Sequence, residues 1–527
     1  MLRVGLLLEK DEMPNWENEF IKKVSAIPSI HLVKITLMGK RRDSAGLSYQ
    51  LYSLMDHAIL PGKPTALSKM KATFPTQSST LKLTIYGNDY DRQELDKIKE
   101  SNLDIIIHFG HTTLKKSILS ISRLGTWSIL FGHNKLPYYY AGFWEWFYKE
   151  PVNSVAIVHQ KEDQDQIYRV TIAQADTQID PLSLNRNQTL IFSKAIDLVI
   201  SSLNRILMDR DFILIENKHK APFRKEPSFW YLVAAFLKLI IRLTKKTFTK
   251  IFYIDQWVLF SSPHPNFPTF NFDEFNPIIP PKDRFWADPF VISQDNKHFI
   301  FIEEFLYKNK KGHLNCIVLD SQGKMEDSKI ILEKPYHLSY PFIFKYHDKW
   351  FLVPESAENK TVDLYECIEF PFKWELKRNL LEGFSAYDST LHFVNDRIWL
   401  FCTIQQSEEG SPNDDLHLFS TNNLLEGKWT PHPKNPVVSD PYTARPAGKI
   451  FNHKGMWYRP SQVCIPRYGY ALSINRIDQL DEKFYHETTI TQNTPNWHKQ
   501  LISNHTYNSS NQLTITDGQL KRFKFYS

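Results

Sequence analysis

The chain has 527 residues, a formal net charge of +6 and a hydrophobic fraction of 42%. This length exceeds what one ordinary hydrophobic core supports, so we expect two or three domains. The net charge is mild for the size of the chain and does not indicate nucleic-acid binding, so no nucleic-acid partner is predicted.

The first residues, "MLRVGLLLEKDE", contain a short apolar run followed by acids, which is not the pattern of a secretory signal. No stretch reaches the roughly 18 apolar residues that a membrane span requires. The four cysteines show no C-x-x-C pair, which indicates buried thiols in a reducing compartment rather than disulfides or a zinc site. They are Cys316, Cys367, Cys402 and Cys464. We therefore predict a cytoplasmic location and no metal site.

Residues 1–205 alternate between strand and helix patterns. Apolar runs at 3–9, 30–38 and 103–110 ("LDIIIHFG") are typical of buried parallel strands. The alternation predicts an α/β domain with a parallel-type sheet and helices on both faces. There is no G-x-G-x-x-G after the first strand and no P-loop, so the sequence gives no support for dinucleotide or NTP binding.

Three linked segments of this domain resemble the formyltransferases that use 10-formyltetrahydrofolate. They are "LDIIIHFG", "GTWSILFGHNKLPYYYAGFWEWFYKE" and "SVAIVHQKEDQDQI". The resemblance implies an Asn-x-His motif at the end of a central strand and an Asp in a later loop. In this chain the Asn position falls on Ser128, the His position on Leu130 and the Asp position on Asp165.

A leucine cannot donate a hydrogen bond or exchange a proton, so Leu130 cannot do the work of the family histidine. We therefore predict a degenerate site that transfers no formyl group, and we do not expect 10-formyltetrahydrofolate as a cofactor; no other cofactor is predicted with certainty. His133 is a weaker candidate for the missing imidazole. An active amino-sugar N-formyltransferase remains an alternative hypothesis.

Residues 206–252 form a basic connector. Within "KHKAPFRKEPSFWYLVAAFLKLIIRLTKKTFTK" (218–250), four cations recur every fourth residue and so share a stripe on a helix: Lys238, Arg242, Lys246 and Lys250. This pattern fits a helix from residues 228–250 lying on an anionic membrane surface. It fits equally a helix docked between two domains with its basic face in solvent.

A repeated pattern begins at Asp288, Tyr340, Asp388 and Arg445. Each opening precedes an alternating apolar strand, a polar turn and a second apolar strand, and units of about 40 to 50 residues with this content are typical of β-propellers. We predict an all-β five-bladed β-propeller over residues 253–500, with 501–527 as a C-terminal tail or closing strand. The unpartnered run at 254–262 is expected to close the ring with C-terminal strands; tandem hairpins or a β-sandwich are the alternative.

Matching positions of successive blades converge on the central funnel of a propeller. We therefore predict Asp288, Asp388 and Glu355 as catalytic residues, since paired acids in different environments permit separate acid and base roles. The predicted substrate-binding residues are Tyr340, Arg445, Arg459 and Glu304. Carboxylates that face a cation are suited to a sugar and its developing positive charge.

Several motifs strengthen this interpretation by resemblance. "FWADPF", "PES", "YDSTL", Arg459-Pro460-Ser461-Gln462 and Tyr468-Gly469 resemble the N-terminal propeller of plant glucosamine inositolphosphorylceramide transferases and, more distantly, glycosidases of the arabinanase and xylosidase type. The glycosidase resemblance implies Asp, Asp and a later Glu acid, but the later position here is Arg445. A hydrolytic triad is thus incomplete, and an Arg suits a phosphate or carboxylate instead.

The leading hypothesis is a carbohydrate-active protein of glycan or glycolipid biosynthesis, whose propeller binds a sugar or sugar nucleotide and transfers a glycosyl unit. The rival hypothesis is a non-catalytic module that binds a glycan or lipid head group and recruits a separate glycosyltransferase. Under either hypothesis the predicted location is cytoplasmic, with membrane-peripheral attachment through residues 228–250 as the alternative to a free domain.

Overall fold

We analysed a computed structural model of the chain. It describes residues 1–9, 12–38, 45–61, 66–71, 73–75, 78–86, 89–109, 114–132, 136–163, 166–209, 224–263 and 274–524. The chain divides into two compact units, Met1–Thr244 and Lys245–Ser527. Each unit is described separately below.

The first unit is built on an eight-stranded sheet whose central strands are parallel. The order across the sheet is β10-β9-β8-β7-β1-β3-β5-β6, and β2 pairs with β4 beside it. The strands are β1 (Leu2–Leu8), β2 (Glu12–Pro14), β3 (Ile30–Met38), β4 (Lys69–Lys71), β5 (Ser79–Tyr86), β6 (Asp89–Tyr90), β7 (Ile105–His108), β8 (Thr126–Phe131), β9 (Asn153–Asp163) and β10 (Gln166–Thr177). The predicted α/β domain with a mostly parallel sheet is therefore confirmed.

The helices of the first unit cover the sheet with a core rich in aromatic residues. They are α1 (Asn15–Ser25), α2 (Leu47–Ile59), α3 (Arg92–Glu100), α4 (Lys116–Leu119), α5 (Phe143–Tyr148), α6 (Leu184–Asp209) and α7 (Phe229–Phe252), the last of which continues into the second unit from Lys245. Trp16 of α1 stacks on Phe192 of α6 with ring centroids 5.0 Å apart, and Phe143 of α5 is fully buried. Dense aromatic packing of this kind explains why the segment 138–147 is so rich in Tyr, Trp and Phe.

Helix α7 belongs to the basic connector, and its N-terminal part packs on the first unit. Leu232, Ala235 and Leu239 are buried in the aromatic core. The Nζ of Lys238 donates to the carbonyl of Phe147 at 3.0 Å, and Arg242 donates to the carbonyls of Pro181 and Trp146 at 2.8 and 3.0 Å. Two cations of the predicted stripe are thus bound to the protein itself.

None of the helices within the described ranges is both long enough and apolar enough to cross a membrane.

The second unit is a β-propeller in which the described residues form five sheets. Blades 1 to 4 are β13–β16, β17–β20, β21–β25 and β26–β29, each an antiparallel meander. Their strands are β13 (Arg284–Gln294), β14 (Lys297–Leu306), β15 (Lys311–Leu319), β16 (Met325–Leu332), β17 (Ser339–Tyr346), β18 (Lys349–Ser356), β19 (Thr361–Glu369), β20 (Lys373–Glu382), β21 (Ala386–Val394), β22 (Arg397–Ile404), β23 (Asp415–Thr421), β24 (Thr430–Pro431), β25 (Val438–Ser439), β26 (Phe451–His453), β27 (Met456–Val463), β28 (Ala471–Leu480) and β29 (Tyr485–Asn493). The predicted five-bladed propeller is confirmed.

Blade 5 closes the ring with strands from both sides of the repeats. It contains β11 (Tyr253–Ser262), β12 (Asn276–Ile278), β30 (Leu501–Ser503), β31 (Tyr507–Ser509) and β32 (Thr514–Phe523). Strand β11 pairs with β32 along its whole length, from Tyr253 opposite Phe523 to Ser262 opposite Thr514. The strand that precedes the repeats therefore closes the ring with a late strand, as the sequence predicts.

Candidate functional site

The repeat openings at Asp288, Tyr340 and Asp388 share an unusual backbone conformation. Their φ angles are 52°, 45° and 52°, in the left-handed region that residues with a side chain rarely adopt. At each of them the pairing register of the first strand slips, between Ala287 and Phe290 in blade 1 and at the matching places in blades 2 and 3. Such β-bulges redirect a side chain or an amide away from the ladder, here at the inner strand of each blade.

These bulges are joined by hydrogen bonds that run from one blade to the next. The amide of Asp288 donates to Asp517 Oδ2 of blade 5 at 2.9 Å, and Asp288 Oδ2 accepts from the amide of Tyr340 at 3.3 Å. The amide of Asp388 donates to Glu355 Oε2 at 3.3 Å. Acidic side chains from blades 5, 1 and 2 therefore each hold the bulge of the following blade.

Arg445 of blade 4 lies among these acids. Its Nε donates to Asp388 Oδ2 at 2.6 Å, and its two terminal nitrogens donate to Asn413 Oδ1 at 2.8 Å and to Glu355 Oε2 at 3.4 Å. Burial alone would lower the pKa of Arg445, but Asp388 and other nearby groups raise it well above its ordinary value. The guanidinium is thus a permanent positive charge that already has three protein acceptors, which weakens its predicted role as a phosphate ligand.

Tyr340 is a buried structural contact of the same region. Its hydroxyl lies 2.8 Å from Thr390 Oγ1 and accepts from the amide of Gly448 at 2.7 Å. The side chain is fully buried. Because both hydrogen bonds go to protein groups, the phenol links blades 2, 3 and 4 rather than extending into an open funnel.

His505 and Asp517 of blade 5 complete the group of charges. His505 Nδ1 lies 2.7 Å from Asp517 Oδ2, and its Nε2 lies 3.7 Å from Asp288 Oδ1. The imidazole stacks on Trp257 with centroids 4.0 Å apart, so its orientation is fixed. Burial lowers the pKa of His505, but Asp517 and Asp288 more than compensate and raise it above its ordinary value.

The same three residues are the one group in the described part of the chain with a donor arrangement for a metal ion. One ligand atom from each of Asp288, His505 and Asp517 lies within 4.8 Å of the others. An imidazole with two carboxylates is a donor set that divalent transition metals accept. The short contact between His505 and Asp517 also satisfies both groups without a metal.

We call the seven buried ionisable residues around the propeller axis the axial cluster: Asp288, Glu303, Glu355, Asp388, Arg445, His505 and Asp517. Burial and the neighbouring carboxylates outweigh the effect of His505 and raise the pKa of Asp288 to about 6. Burial, then Asp288 and the other acids, raise the pKa of Glu303 well above its usual range. Burial and Asp388 do the same for Glu355. Carboxyl groups with such pKa values hold a proton where ordinary ones are ionised.

Besides Tyr340, two predicted substrate-binding residues lie outside this cluster. Glu304 accepts from Arg284, Trp286, His313 and Asn315 at 2.8–3.2 Å. Burial opposes ionisation of Glu304, but these donors lower its pKa to about 2. It is Glu303, the preceding residue on β14, that interacts electrostatically with Asp288.

Arg459 is the second of these residues. It is completely buried and forms a two-pronged ion pair with Glu487, at 2.9 Å from Nε and 2.6 Å from the terminal nitrogen. It also donates to the backbone carbonyls of Thr443 and Ala444. A guanidinium with these four hydrogen bonds connects segments of blade 4, and none of the bonds reaches the axial cluster.

Two tyrosines flank Arg445 where the cluster approaches solvent. The guanidinium carbon lies 5.1 Å from the ring centre of Tyr387 and 4.7 Å from that of Tyr468. Tyr468 is 39% exposed, in contrast to the buried cluster. An exposed aromatic ring beside hydrogen-bonding groups offers the apolar surface on which a sugar ring packs.

A cavity of about 790 Å³ is lined by residues of blades 2 and 3, among them Gln405 but none of Arg445, Tyr387 and Tyr468. Its lining combines aromatic rings with hydrogen-bonding side chains, including Phe384, Ser385, Gln405, His417, Phe419 and Trp429. Gln405 accepts from the hydroxyl of Tyr387 at 3.0 Å, so this pair forms a wall shared with the mouth. The volume and the mixed lining are typical of small-molecule sites.

The predicted degenerate formyl site lies on β8 of the first unit. Ser128 is buried and its Oγ accepts from Gln160 Nε2 at 2.5 Å, whereas Leu130 is half-buried. Asp165 and His133 lie outside the described residues. The loss of formyl transfer therefore stays a prediction.

Comparison with known proteins identifies sequences that are similar to the propeller. Residues 279–522 match the family model described as "Glucosamine inositolphosphorylceramide transferase 1, N-terminal". The propeller resembles the N-terminal domain of these transferases. Glucosamine inositolphosphorylceramide transferase 1 of Oryza sativa subsp. japonica is 31% identical over 210 residues, which is 39% of this chain and 28% of that protein. The protein of the same name from Arabidopsis thaliana is 29% identical over 210 residues, or 39% of this chain and 27% of that protein. The chain thus spans less than a third of the length of these curated relatives.

Solved glycosidase structures show more distant similarity. Zg3597, a family 117 glycoside hydrolase of Zobellia galactanivorans, is 10% identical, with 50% of this chain and 90% of that chain covered and a TM-score of 0.34. The catalytic domain of a Coprinopsis cinerea GH62 alpha-L-arabinofuranosidase is 10% identical, with 47% and 96% covered and a TM-score of 0.36. Similarity at this level says nothing about substrate.

The region that resembles the transferase domain contains every member of the axial cluster. Sequence reasoning found Asp288, Glu355, Asp388 and Arg445 but missed His505, Asp517 and the role of Glu303. His505 and Asp517 follow the last repeat, so no alignment of repeat openings includes them. The sequence signal that could have found them is the prediction that blade 5 is completed by C-terminal strands, which brings their side chains to the same axis.

Proposed function

We propose that the propeller binds a sugar at the mouth of the axial cluster and that the protein acts in the assembly of a glycan or glycolipid. The observation that carries this proposal is the concentration of five buried carboxyl groups around Arg445 and His505, beneath the exposed ring of Tyr468. The similarity of residues 279–522 to transferases named for a glycolipid supports the glycolipid class.

The protonation states of the cluster fit glycosyl transfer. With a pKa of about 6, Asp288 is mostly ionised at neutral pH and can accept the proton of an attacking hydroxyl group. The raised pKa of Glu355 favours its protonated form, which can give a proton to the departing oxygen. The attacking oxygen then forms its bond to the anomeric carbon as the bond to the leaving oxygen breaks, and Asp388 faces the positive charge that develops on the sugar.

The cavity would hold the next unit of the ligand. Its aromatic residues Phe384 and Trp429 offer apolar faces, and Gln405 and Ser385 offer hydrogen bonds. Because Gln405 is bonded to Tyr387, a ligand in the cavity would be in contact with the wall of the mouth. We therefore assign the glycosyl unit to the mouth and the remainder of the ligand to the cavity.

Binding can be tested by thermal-shift screening of the intact chain against sugar nucleotides, amino sugars and inositol phosphates. A ligand present at a hundredfold its dissociation constant stabilises the folded protein by roughly 2.7 kcal/mol. Tyr468→Ala should abolish the shift, and the Tm of the free variant must be measured beside it because the ring also contacts Arg445 and His505. Asp348→Asn is a matched control on a hairpin, where the carboxylate is 98% exposed, and it should bind like the wild type.

Transfer and binding alone are distinguished by a second measurement on any ligand found. Transfer requires turnover of a labelled donor that Asp288→Asn reduces by roughly a hundredfold or more, the usual contribution of a general base. The rival function, a binding module that recruits a separate glycosyltransferase, predicts no turnover and micromolar binding that survives Asp288→Asn. A screen in which none of these ligands shifts the Tm would contradict both.

A further inference from the structure

Helix α7 exposes a second apolar face that its packing on the first unit leaves uncovered. While Leu232, Ala235 and Leu239 are buried, Trp230 is 75% exposed and Ile241 is 65% exposed. The exposed large apolar side chains of the helix are Phe229, Trp230, Tyr231, Leu237, Ile240, Ile241, Phe248 and Ile251. Trp230, Leu237 and Ile241 recur at intervals of seven and four residues and so form one stripe along the part of the helix that belongs to the first unit.

Helix α2 presents a similar face. Leu47, Leu51 and Leu54 are 74%, 58% and 67% exposed and are spaced four and three residues apart, whereas Tyr49 and Tyr52 of the same helix are buried. Exposed apolar residues scattered singly are ordinary, but two stripes on two helices of one unit are not.

The two helices pack on the same layer of the first unit. The ring of Tyr52 on α2 and the guanidinium of Arg242 on α7 both contact Trp146 of α5, at 6.4 and 4.4 Å. The hydroxyl of Tyr140 accepts from the amide of Gly46, directly before α2, and donates to Glu226, shortly before α7. The N-termini of α2 and α7 are therefore tied to one side chain, and both helices pack against the side of the unit that carries Tyr140 and Trp146.

The charges of α7 indicate what covers this side. The helix has five Lys or Arg residues and no Asp or Glu. Lys245 and Lys246 are exposed. A second copy of the chain would set these cations against one another, whereas an anionic bilayer surface complements them and accepts the wide apolar area of two helices. Tryptophan is also a side chain that favours the boundary between lipid and water.

We propose that the exposed faces of α2 and α7 dock the first unit on the surface of an anionic membrane. The interface predicted from the sequence places the cations near lipid phosphates and the Trp and Phe side chains near the acyl boundary. The proposal differs in the cations alone, since Lys238 and Arg242 bind carbonyls of the unit itself. The inference rests on the first unit and α7 and is independent of the sugar-binding proposal.

The test is flotation of the intact chain with vesicles of phosphatidylcholine alone or with a quarter of phosphatidylserine. The wild type should float with the anionic vesicles, and less so at high salt because exposed charges are screened. Trp230→Ser/Ile241→Ser should reduce flotation by roughly tenfold or more, since two large apolar side chains no longer enter the lipid. Lys245→Gln/Lys246→Gln should lower the preference for phosphatidylserine. Ile368→Ser/Leu376→Ser, with both side chains 52% exposed on the propeller, is the matched control and should float like the wild type.

Failure of the wild type to float, or equal flotation of the Trp230→Ser/Ile241→Ser variant, would overturn the proposal. Light scattering measures the oligomeric state and so distinguishes a membrane from a second copy of the chain as the partner of this face. A wild-type dimer that becomes a monomer in this variant, without vesicle binding, would assign the face to a second copy of the chain. Sugar-induced thermal shifts are unaffected by any of these outcomes, so failure here leaves the proposed function to its own test.

Discussion

The buried pair of Arg459 and Glu487 allows a structural role to be separated from a ligand-binding one. Arg459 is completely buried, and Arg459→Met removes two bonds to Glu487 and two to backbone carbonyls while leaving the carboxylate with the hydroxyl of Tyr485. Breaking one side of a buried ion pair costs about 3–5 kcal/mol. At about 2–4 °C per kcal/mol, the Tm of the propeller should fall by about 6–20 °C.

Thermal unfolding followed by calorimetry measures this change, and two further variants locate its cause. Arg459→Met/Glu487→Gln should recover much of the loss, because no unpaired charge then remains in the interior. Arg397→Met removes a partner of Glu482, which is 63% exposed, and should cost no more than about 1 kcal/mol. An Arg459→Met protein with a wild-type Tm and no ligand binding would refute the structural role and restore the role predicted from the sequence.

Three further predictions concern other parts of the molecule. The pKa values of Asp288, Glu303 and Glu355 are raised in the folded state. Their contribution to the free energy of unfolding is therefore complete below the ordinary carboxyl pKa of about 4 and is lost as the pH rises through the folded values, about 6 for Asp288. Urea unfolding at several pH values should show that this free energy falls less with rising pH in Asp288→Asn than in the wild type, and an equal fall would contradict the prediction. Phe384→Ala should weaken binding of an extended ligand more than binding of a single sugar, as measured by calorimetric titration, and equal losses would exclude the cavity as a second subsite. Finally, 10-formyltetrahydrofolate should give no thermal shift, since Leu130 replaces an imidazole; a shift would revive formyl transfer.

Much of the propeller could be predicted from the sequence because its signals are local. Strand alternation and polar turns recur with each blade, so the repeats and the meeting of Asp288, Tyr340 and Asp388 near one axis follow from spacing alone. Spacing does not tell which of Glu303 and Glu304 faces the axial cluster. Neighbouring residues of a strand point to opposite faces, and the bulge at Asp288 shifts the register on the facing strand, so parity along β14 cannot be read from the repeat.

Contacts between residues that are far apart in the chain could not be predicted from the sequence either. Nothing near Arg459 in the sequence indicates that Glu487 will neutralise it, and the cluster residues His505 and Asp517 lie beyond the repeats. On α7 the four-residue spacing of cations correctly indicates that they lie on one side of the helix. The spacing cannot show that the carbonyls of Phe147 and Trp146 accept hydrogen bonds from Lys238 and Arg242.

The closing blade also sets the order in which the site can be assembled during protein synthesis. Arg522 on β32 donates a hydrogen bond to Gln256 on β11, across a separation of 266 residues. Gln256 is synthesised long before Arg522. Asp517, which holds the bulge of Asp288, also leaves the ribosome only at that late stage. Until then the unfinished propeller is an open row of blades with exposed strand edges. Binding by a chaperone would protect it most at this stage. The chain can therefore bind a ligand at the axis only after Asp517 has been synthesised and has reached the bulge of Asp288.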